Sequence, residues 1–224
     1  MQKVVGTKSP IAGFFQDQKL LRFKRGEVIL RPDYLNPGIY YIEKGYVKVY
    51  SISLDGEEKI HLIFKAGDLF PLLWVFKDIN REVFYEAIVD VFARRSTRDI
   101  FLKYLNESPV ASRELVGKVL TISNVYVDRI GDLEYIKSYP RLVSHLISLS
   151  ARFGIKNGKK IIVDVPLTHR EIAASINMTR ETASRDIEEL ERRELISIRG
   201  KYITILDVKK LKGELINYSE KSRL

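Results

Sequence analysis

The residues best suited to chemistry in this chain lie at positions 179–190, which read TRETASRDIEEL. A short helical pattern, LTHREIAASINM at positions 167–178, comes directly before them. Two short helices joined by a tight turn are typical of a helix-turn-helix, whose second helix enters the major groove of DNA. Arginine matches the paired acceptors of guanine, and glutamate accepts from the amino group of cytosine. The types and spacing of these residues therefore predict a surface that reads DNA bases.

Local patterns define the limits of both predicted helices. Thr168 and Glu171 form a T-x-x-E capping box at the start of the first helix. Asn177 tolerates the left-handed backbone that the turn needs, and Thr179 is suited to cap the second helix. The residues predicted to face inward at helical spacing are Ile172, Ala173, Ile176, Ala183, Ile187 and Leu190.

The outward residues of this unit are the ones that we expect to contact DNA. Downstream, ELISIRGKYITIL alternates around Arg199-Gly200-Lys201, which predicts a β-hairpin wing with Lys201 at its tip. The alternative is an ordinary corner of two helices with a solvated charged face. The predicted DNA-binding residues are Thr168, His169, Thr179, Arg180, Glu181, Thr182, Ser184, Arg185 and Lys201.

The composition limits the possible functions. At 224 residues, 45% of them hydrophobic, the chain is long enough for one or two packed domains. The net charge of +9 suits a polyanionic partner. Positions 159–201 nevertheless contain nine Lys or Arg against eight Asp or Glu. The prediction of DNA binding therefore depends on where the charges lie and not on their sum.

Several classes of protein are excluded or not expected. The chain has no cysteine, which excludes disulfides, thiolate metal sites and cysteine-ligated iron–sulfur clusters. The first residues lack the apolar core of a signal peptide, and the apolar run at 69–76 is too short to span a membrane. No Walker A, GxSxG or HExxH motif occurs. We expect a cytoplasmic, soluble protein that is not an enzyme and does not contact membranes.

Residues 20–95 have a different pattern from the rest of the chain. Short alternating runs, IYYI, YVKVYSI, KIHLIF and YEAIVDVF, are separated by turns that contain glycine. Asp55-Gly56 between two such runs indicates a tight hairpin. Short strands at about ten-residue spacing predict an all-β barrel or sandwich.

A long helix follows this β region. Ser108 and Pro109 suit its N-terminus, and the next proline is Pro140, so we predict about 27 helical residues. Two apolar stripes indicate burial on two sides, one against the barrel and one against the helix of a second copy. A purely intramolecular core helix is the alternative. The residues predicted to dimerise are Leu115, Val119, Ile122, Tyr126, Ile130 and Leu133, and those of the second stripe are Val116, Leu120 and Val127.

Several segments of the chain resemble the CRP/FNR family of transcription regulators. LTHREIAASINMTRETASRDIEELERRELI is similar to the family's C-terminal domain, and FKRGEVIL, YYIEKGYVKVY and FKAGDLF are similar to its β-roll. The resemblance implies an α+β fold with an N-terminal double-stranded β-helix (a β-roll, cyclic-nucleotide-binding-like) at 1–107. It further implies a dimerisation helix at 108–138 and a winged helix-turn-helix at 139–224.

The resemblance also implies a function. It predicts a homodimer on a palindromic site of double-stranded DNA, acting on RNA polymerase. Arg180, Glu181 and Arg185 match the R-E-x-x-x-R of the catabolite activator branch. Glu181, Ser184 and Arg185 match the E-x-x-S-R of the fumarate-nitrate branch. Both branches favour TGA-like half-sites, which we therefore expect here. A sensory module that acts through protein contacts is the rival interpretation.

The sensory region departs from the family's cyclic-AMP cassette, which needs a Gly-Glu-Leu turn and a later Arg-Ser pair. Here the turn reads GDLFP, and Val83 and Phe84 follow Arg81-Glu82 where small hydroxylic residues are needed to bind phosphate. His61 is the only histidine of this region, and a lone histidine in a strand is more often a structural residue than a haem ligand. We predict no cofactor, and either a more apolar effector or a roll filled by its own aromatic residues. The possible pocket residues are Asp68, Leu69, Phe70, Trp74, Arg81, Phe84, Tyr85 and Tyr126.

Overall fold

A computed structural model describes residues 9–33, 38–77 and 82–221. Its contacts divide the chain into two compact units. The first contains the described residues up to Ile52 together with His61–Ser123, and the second contains Ser53–Ile60 and the chain from Asn124 onward. The division falls within the long helix, and the domain limits drawn from the sequence at 107/108 and 138/139 stay predictions.

The first unit is built around two four-stranded sheets, in the orders β1-β8-β3-β6 and β2-β7-β4-β5. Four helices accompany them, and the fourth continues into the second unit. In chain order the elements are α1 (Pro10–Gln16), β1 (Lys19–Phe23), β2 (Val28–Leu30), β3 (Ile39–Lys44), β4 (Tyr46–Ile52), β5 (Glu58–Lys65), β6 (Leu69–Phe70), α2 (Leu72–Lys77), β7 (Phe84–Ala87), β8 (Val91–Ser96), α3 (Arg98–Glu107) and α4 (Pro109–Glu134).

Turn chemistry explains where these strands end. The Asp55-Gly56 hairpin between β4 and β5 is confirmed, with Gly56 at φ +81° and the Ser53 amide donating to the Glu57 carbonyl at 2.9 Å. The run YEAIVDVF is two strands and not one. Asp90 lies between them, where its carboxylate accepts from the side chain of Arg22 and the amide of Arg25.

Helix α4 begins where the sequence predicted. The Ser108 hydroxyl accepts from the amide of Ala111 at 3.3 Å, and the helix has 26 residues, about 39 Å at 1.5 Å per residue. Its first turns belong to the core of the first unit, where Ala111 and Leu115 pack with Ile11, Phe15 and Phe101. Leu115 is only 5% exposed within its own chain. This core therefore already covers Leu115 within its own chain, and the role of Leu115 in dimerisation stays a prediction.

The rest of the second unit contains a small sheet, in the order β11-β12-β10-β9, and four helices. Its helix α5 begins at Ser138 and includes Pro140. The first amides of a helix need no partner within it, so Pro140 is tolerated in this first turn. The elements are α5 (Ser138–Phe153), β9 (Gly154–Asn157), β10 (Lys160–Val163), α6 (His169–Ser175), α7 (Arg180–Arg192), β11 (Ile196–Arg199), β12 (Tyr202–Ile205) and α8 (Val208–Lys221).

Helix α8 is an element that the sequence patterns did not predict. Asp207 starts it by accepting from the amides of Lys209 and Lys210 at 2.8 and 3.2 Å. These backbone donors lower the pKa of the Asp207 carboxyl. The helix packs along α5 and buries Leu211 completely. Among the described residues of the chain, no helix is both long enough and apolar enough to cross a bilayer.

Tyr139 should make the stability of the protein fall at alkaline pH. Burial and the nearby Glu214 carboxylate raise its pKa to about 12. An unfolded tyrosine ionises near pH 10, so this preference for the folded state is fully present below pH 10 and is lost as the pH rises towards 12. The measurement is the free energy of unfolding between pH 9 and 12, compared with Tyr139→Phe. If the free energy of unfolding falls equally with pH in the wild type and in Tyr139→Phe, Tyr139 is not the cause of the decline.

Candidate DNA-binding surface

The two helices of the predicted reading unit start at side-chain caps. The Thr168 hydroxyl accepts from the amide of Glu171 at 3.2 Å, and the Glu171 carboxylate accepts from the amide of Thr168 at 2.8 Å. This confirms the capping box that opens α6. The Thr179 hydroxyl accepts from the amide of Thr182 at 3.2 Å, which confirms the cap of α7. The sequence thus fixes the first residue of both helices.

The turn between α6 and α7 has the predicted left-handed residue, since Asn177 has φ +52°. A side chain that the sequence analysis missed, Arg141 of α5, holds this turn. It donates to the carbonyls of Ile176 and Asn177 at 3.1 and 3.2 Å. It also donates to the carbonyl of Tyr135 at 2.7 and 2.9 Å and to that of Ile136 at 3.2 Å. Its position in the sequence could have indicated this role. A cation near the start of a helix interacts unfavourably with the helix dipole, so an arginine there suggests a favourable contact elsewhere.

The outward face of α7 carries the residues expected to read bases. Arg180, Glu181 and Arg185 are exposed, and the side chain of Arg185 is 72% accessible. The inward residues Ala183, Ile187 and Leu190 are completely buried, and the α6 residues Ile172, Ala173 and Ile176 are buried as well. The helical phase predicted from the sequence is therefore confirmed on both helices.

Hydrogen bonds within the unit already use some of the predicted contact residues. The Nδ1 atom of His169 lies 2.9 Å from the hydroxyl of Ser184, so the start of α6 is tied to the middle of α7. The hydroxyl of Thr168 donates to Glu171 at 2.8 Å, and that of Thr179 donates to Thr182 at 3.0 Å. These two threonines therefore serve the helix caps first, and each donates its hydroxyl proton to a side chain three residues further along the chain.

A groove of about 440 Å³ lies between the helix-turn-helix and the wing. Three cationic residues line it: Arg170, Arg180 and Lys201. Lys201 is in the turn between β11 and β12, beside Gly200 at φ +62°, as predicted for the wing tip. Its carbonyl accepts from the amide of Leu167 at 3.0 Å, which joins the wing to the start of the reading unit. Arg170 is a cation of this groove that the sequence analysis did not single out.

Asp186 is a second residue of α7 that the sequence analysis missed. Its side chain is buried, and one carboxylate oxygen lies 3.5 Å from Nε of the neighbouring Arg185. Within the described residues, its other oxygen has no hydrogen-bond partner. A buried carboxylate favours a nearby cation, so Asp186 attracts the guanidinium that we expect to read a base.

The residues predicted as an effector pocket do not form one group. Phe70 stacks with Tyr40 at 5.2 Å and Tyr85 at 5.1 Å between ring centroids, and with Phe64 at 5.7 Å. Phe70 is completely buried, and Tyr40 and Phe64 nearly so. We call these four rings the aromatic stack.

The other residues of the predicted pocket lie elsewhere. Leu69 and Trp74 pack on the core of the first unit, and the carboxylate of Asp68 accepts from the amide of Lys65 in its own turn. Phe84 stacks on Tyr50. Tyr126 is an exposed residue of α4, and Arg81 lies outside the described residues.

A buried ion pair borders Phe84 on the same face of its sheet. Lys48 Nζ lies 3.2 Å from Glu86 Oε1, and the Tyr50 hydroxyl donates to Glu86 Oε2 at 3.2 Å. Lys48 and Tyr50 pair with Glu86 and Phe84 across β4 and β7. Successive strand residues face opposite sides, so this pair is separated from Tyr85 and the aromatic stack. No sequence pattern had indicated the Lys48–Glu86 pair.

Helix α4 exposes an apolar stripe along its length. Val116, Leu120 and Val127 are each more than half exposed, as is Ile130. Val116, Ser123 and Ile130 are seven residues apart, as are Leu120 and Val127, which is the spacing of a coiled-coil seam. Val119 and Tyr126 border it at about 41% exposure, whereas Ile122 and Leu133 are partly covered by their own chain.

Known proteins match both parts of this arrangement. Residues 20–108 match the cyclic nucleotide-binding domain family, and residues 140–214 match the Crp-like helix-turn-helix domain family. The CRP-like cAMP-activated global transcriptional regulator of Mycobacterium tuberculosis is 26% identical over 203 residues, covering 91% of each chain. The global nitrogen regulator of Synechococcus elongatus is 27% identical, covering 83% of this chain and 85% of its own.

The fold is shared with solved structures. A mutant of CooA from Carboxydothermus hydrogenoformans superimposes with a TM-score of 0.77 at 19% identity, covering 95% of this chain and 98% of its own. The two matched domains occur here in one chain and in the same order as in the family. The chain belongs to the CRP/FNR family, whose members are transcription regulators and not enzymes.

Proposed function

We propose that this protein is a homodimeric regulator that reads a palindrome with TGA-like half-sites and acts on RNA polymerase in the cytoplasm. The observation that carries the proposal is the exposed set Arg180, Glu181 and Arg185 at the start of α7. Residues at this end of a recognition helix reach base edges. The cap at Thr179 and the turn at Asn177 fix the position at which these side chains leave the helix.

The stripe on α4 supports dimerisation. A seam of valine, leucine and isoleucine at heptad spacing buries its apolar surface when a second α4 packs against it. A two-fold dimer presents two copies of α7, and two reading helices require two related half-sites. A palindromic site therefore follows from the symmetry of the pair.

The aromatic stack favours DNA binding without a cyclic nucleotide. Phe64, Phe70 and Tyr85 fill the inner face of the roll with rings 5.1–6.2 Å apart. A cyclic phosphate buried there would need cations as well as directed donors, and these three side chains supply no cation. We infer that the roll serves as a folded support. The DNA-binding domains of the protein then bind their site without an added effector.

Selection from random DNA with purified protein and nothing added tests this function. Enrichment of a two-fold palindrome with TGA-like half-sites is expected. Selection of a non-palindromic site would contradict the dimeric reading mode. A second outcome is a folded protein that enriches no sequence alone but does so when a cell extract is added. This would contradict DNA binding without an effector. The effector would then be sought by fractionating that extract.

Arg185→Ala should weaken binding to the selected site by about 1–3 kcal/mol, roughly 5- to 150-fold, and relax the preference at one base pair. The measurement is a titration against the selected site and its single-base variants. Arg192→Ala is the matched control, since Arg192 lies on the same helix but at the far end, paired with Glu189. Equal weakening by Arg185→Ala on selected and random DNA would contradict base reading.

A further inference from the structure

We propose that Lys118 is a positioning residue of α4, which fixes the direction of the apolar stripe on this helix without an effector. Its ammonium group donates to the carbonyl of Gly67, in the turn between β5 and β6, at 2.7 Å. It also lies 3.5 Å from a carboxylate oxygen of Glu114, one helical turn earlier on α4. We call the ammonium group and these two acceptors the anchor. All of its residues belong to the first unit.

The anchor is on the side of α4 that faces the core of the first unit. Ala111, Leu115 and Lys118 are four and three residues apart, which places them on one face of the helix. Ala111 and Leu115 are buried in that core. The side chains of Lys118 and Glu114 are themselves only 24% and 22% exposed. Lys118 therefore extends the covered face of α4 by one turn, through a polar contact.

The stripe lies on the opposite side of the helix. Val116 and Leu120 are two residues before and two residues after Lys118, and two residues turn a helix by about 200°. Both side chains therefore point away from the anchor, and both are more than half exposed. Because the anchor resists rotation of α4 about its own axis, it determines the direction that these two side chains face.

Both acceptors of the anchor are held by other elements of the first unit. The amide of Gly67 donates to the carbonyl of Ile42 at 2.8 Å, which fixes the turn to β3. The carboxylate of Glu114 accepts from the hydroxyl of Ser9 at 2.6 Å and from the amide of Ile11 at 3.1 Å, at the start of α1. The anchor therefore attaches α4 to a strand turn and to a helix N-terminus at the same time.

The turn that accepts from Lys118 leads directly into the aromatic stack. Phe70, the central ring of the stack, is three residues beyond Gly67, on β6. The ring packing that fixes Phe70 therefore also fixes the turn and the carbonyl that it presents to α4. The filled roll itself thereby contributes to the direction of the stripe, and no bound effector is required for it.

This arrangement gives Lys118 a defined role in DNA binding. The next hydroxyl side chains of α4, Thr121 and Ser123, donate to carbonyls of α4 itself at 2.9 and 3.0 Å, so they do not orient the helix as Lys118 does. In a dimer, the direction of the stripe sets how two copies of α4 pack, and hence whether both reading helices reach their half-sites together. This part rests on the proposed function, whereas the attachment of α4 within one chain does not.

The test measures the position of α4 within one chain. The chain has no cysteine, so Lys19→Cys on β1 and Thr121→Cys on α4, both exposed, carry spin labels without background. Mixing labelled protein with an excess of unlabelled chain leaves one intrachain distance, whether or not the protein dimerises. Pulsed electron–electron double resonance on the full chain then gives the distribution of that distance. We expect a narrow distribution, broadened at least two-fold by Lys118→Met.

Two further variants separate the anchor from a general effect of lost charge. Lys118→Arg keeps a cationic donor, and its distribution should stay narrow. Lys103→Met removes an exposed ion pair with Glu107 on α3, and its distribution should stay narrow as well. An unchanged distribution in Lys118→Met overturns the proposal. Equal broadening in Lys118→Met and in either of these two variants also overturns it, since the donor at position 118 would not then be what holds α4.

Binding to DNA gives the second readout. Lys118→Met should bind the selected palindrome at least ten-fold more weakly than the wild type does. Its affinity for a single half-site should change less than two-fold, because one α7 reads a half-site without the stripe. An equal loss on both DNAs, in step with a lower melting temperature, indicates a merely structural role and overturns the positioning role. If the wild type selects no palindrome, the proposed function fails, and the spin-label distances still decide whether the anchor holds α4.

Discussion

Val127→Asp is expected to convert the dimer to a monomer and to weaken binding to a palindromic site more than 100-fold. Val127 is a heptad position of the exposed stripe on α4, between Ser123 and Ile130, and is itself 64% exposed. In a symmetric dimer the substitution places two unpaired carboxylates in an apolar seam. Burying an uncompensated charge costs roughly 3–5 kcal/mol, and 1.4 kcal/mol is a factor of ten in an equilibrium constant. Sedimentation velocity and DNA titration measure the two effects.

Val110→Asp is the matched control for this prediction. Val110 is on the same helix and also 64% exposed, but the heptad positions of the stripe do not include it. We expect it to remain dimeric and to bind DNA as the wild type does. Dimers of equal stability in the two variants would show that the stripe is not the interface.

Phe70→Ala is expected to destabilise the first unit by about 3–5 kcal/mol, the usual cost of deleting a buried phenylalanine. Phe70 is completely buried and is the central ring of the aromatic stack, in contact with Tyr40, Phe64 and Tyr85. Its removal leaves a cavity whose lining rings lose their packing partners. The measurement is the midpoint of urea unfolding at an unchanged m-value.

Phe76→Ala provides the comparison within the same region. Phe76 lies on α2 and is 44% exposed, so its removal should cost less than about 1 kcal/mol. A similarly small cost for Phe70→Ala would mean that the roll does not depend on its aromatic stack. The inference of an effector-free support would then lose its physical basis.

The features that the sequence predicted well are local ones. The capping box at Thr168, the cap at Thr179 and the left-handed Asn177 each depend on residues within four positions of one another. The inward faces of α6 and α7 follow from helical periodicity in the same way. Short-range chemistry was therefore enough to predict where α6 and α7 begin and which of their faces is buried.

The features that the sequence did not predict depend on contacts between distant residues. Arg141 meets Ile176 thirty-five positions away, and Tyr139 meets Glu214 seventy-five positions away, so no spacing rule relates them. Leu115 has the periodicity of a dimer residue, yet the core of the first unit covers it. Periodicity shows that a helix face is apolar, but not what packs against it.

Arg141 recognises main-chain oxygens, and this determines which substitutions in this protein would leave the docking of the turn intact. Its donors meet carbonyls at Tyr135, Ile136, Ile176 and Asn177, atoms that every residue type carries. The side chains at those four positions can therefore change without removing the groups that dock the turn. Substitutions on the outer face of α7 leave this attachment intact as well. The base preference of α7 can thus change, in evolution or by grafting, while the hydrogen bonds of Arg141 continue to hold the turn before it.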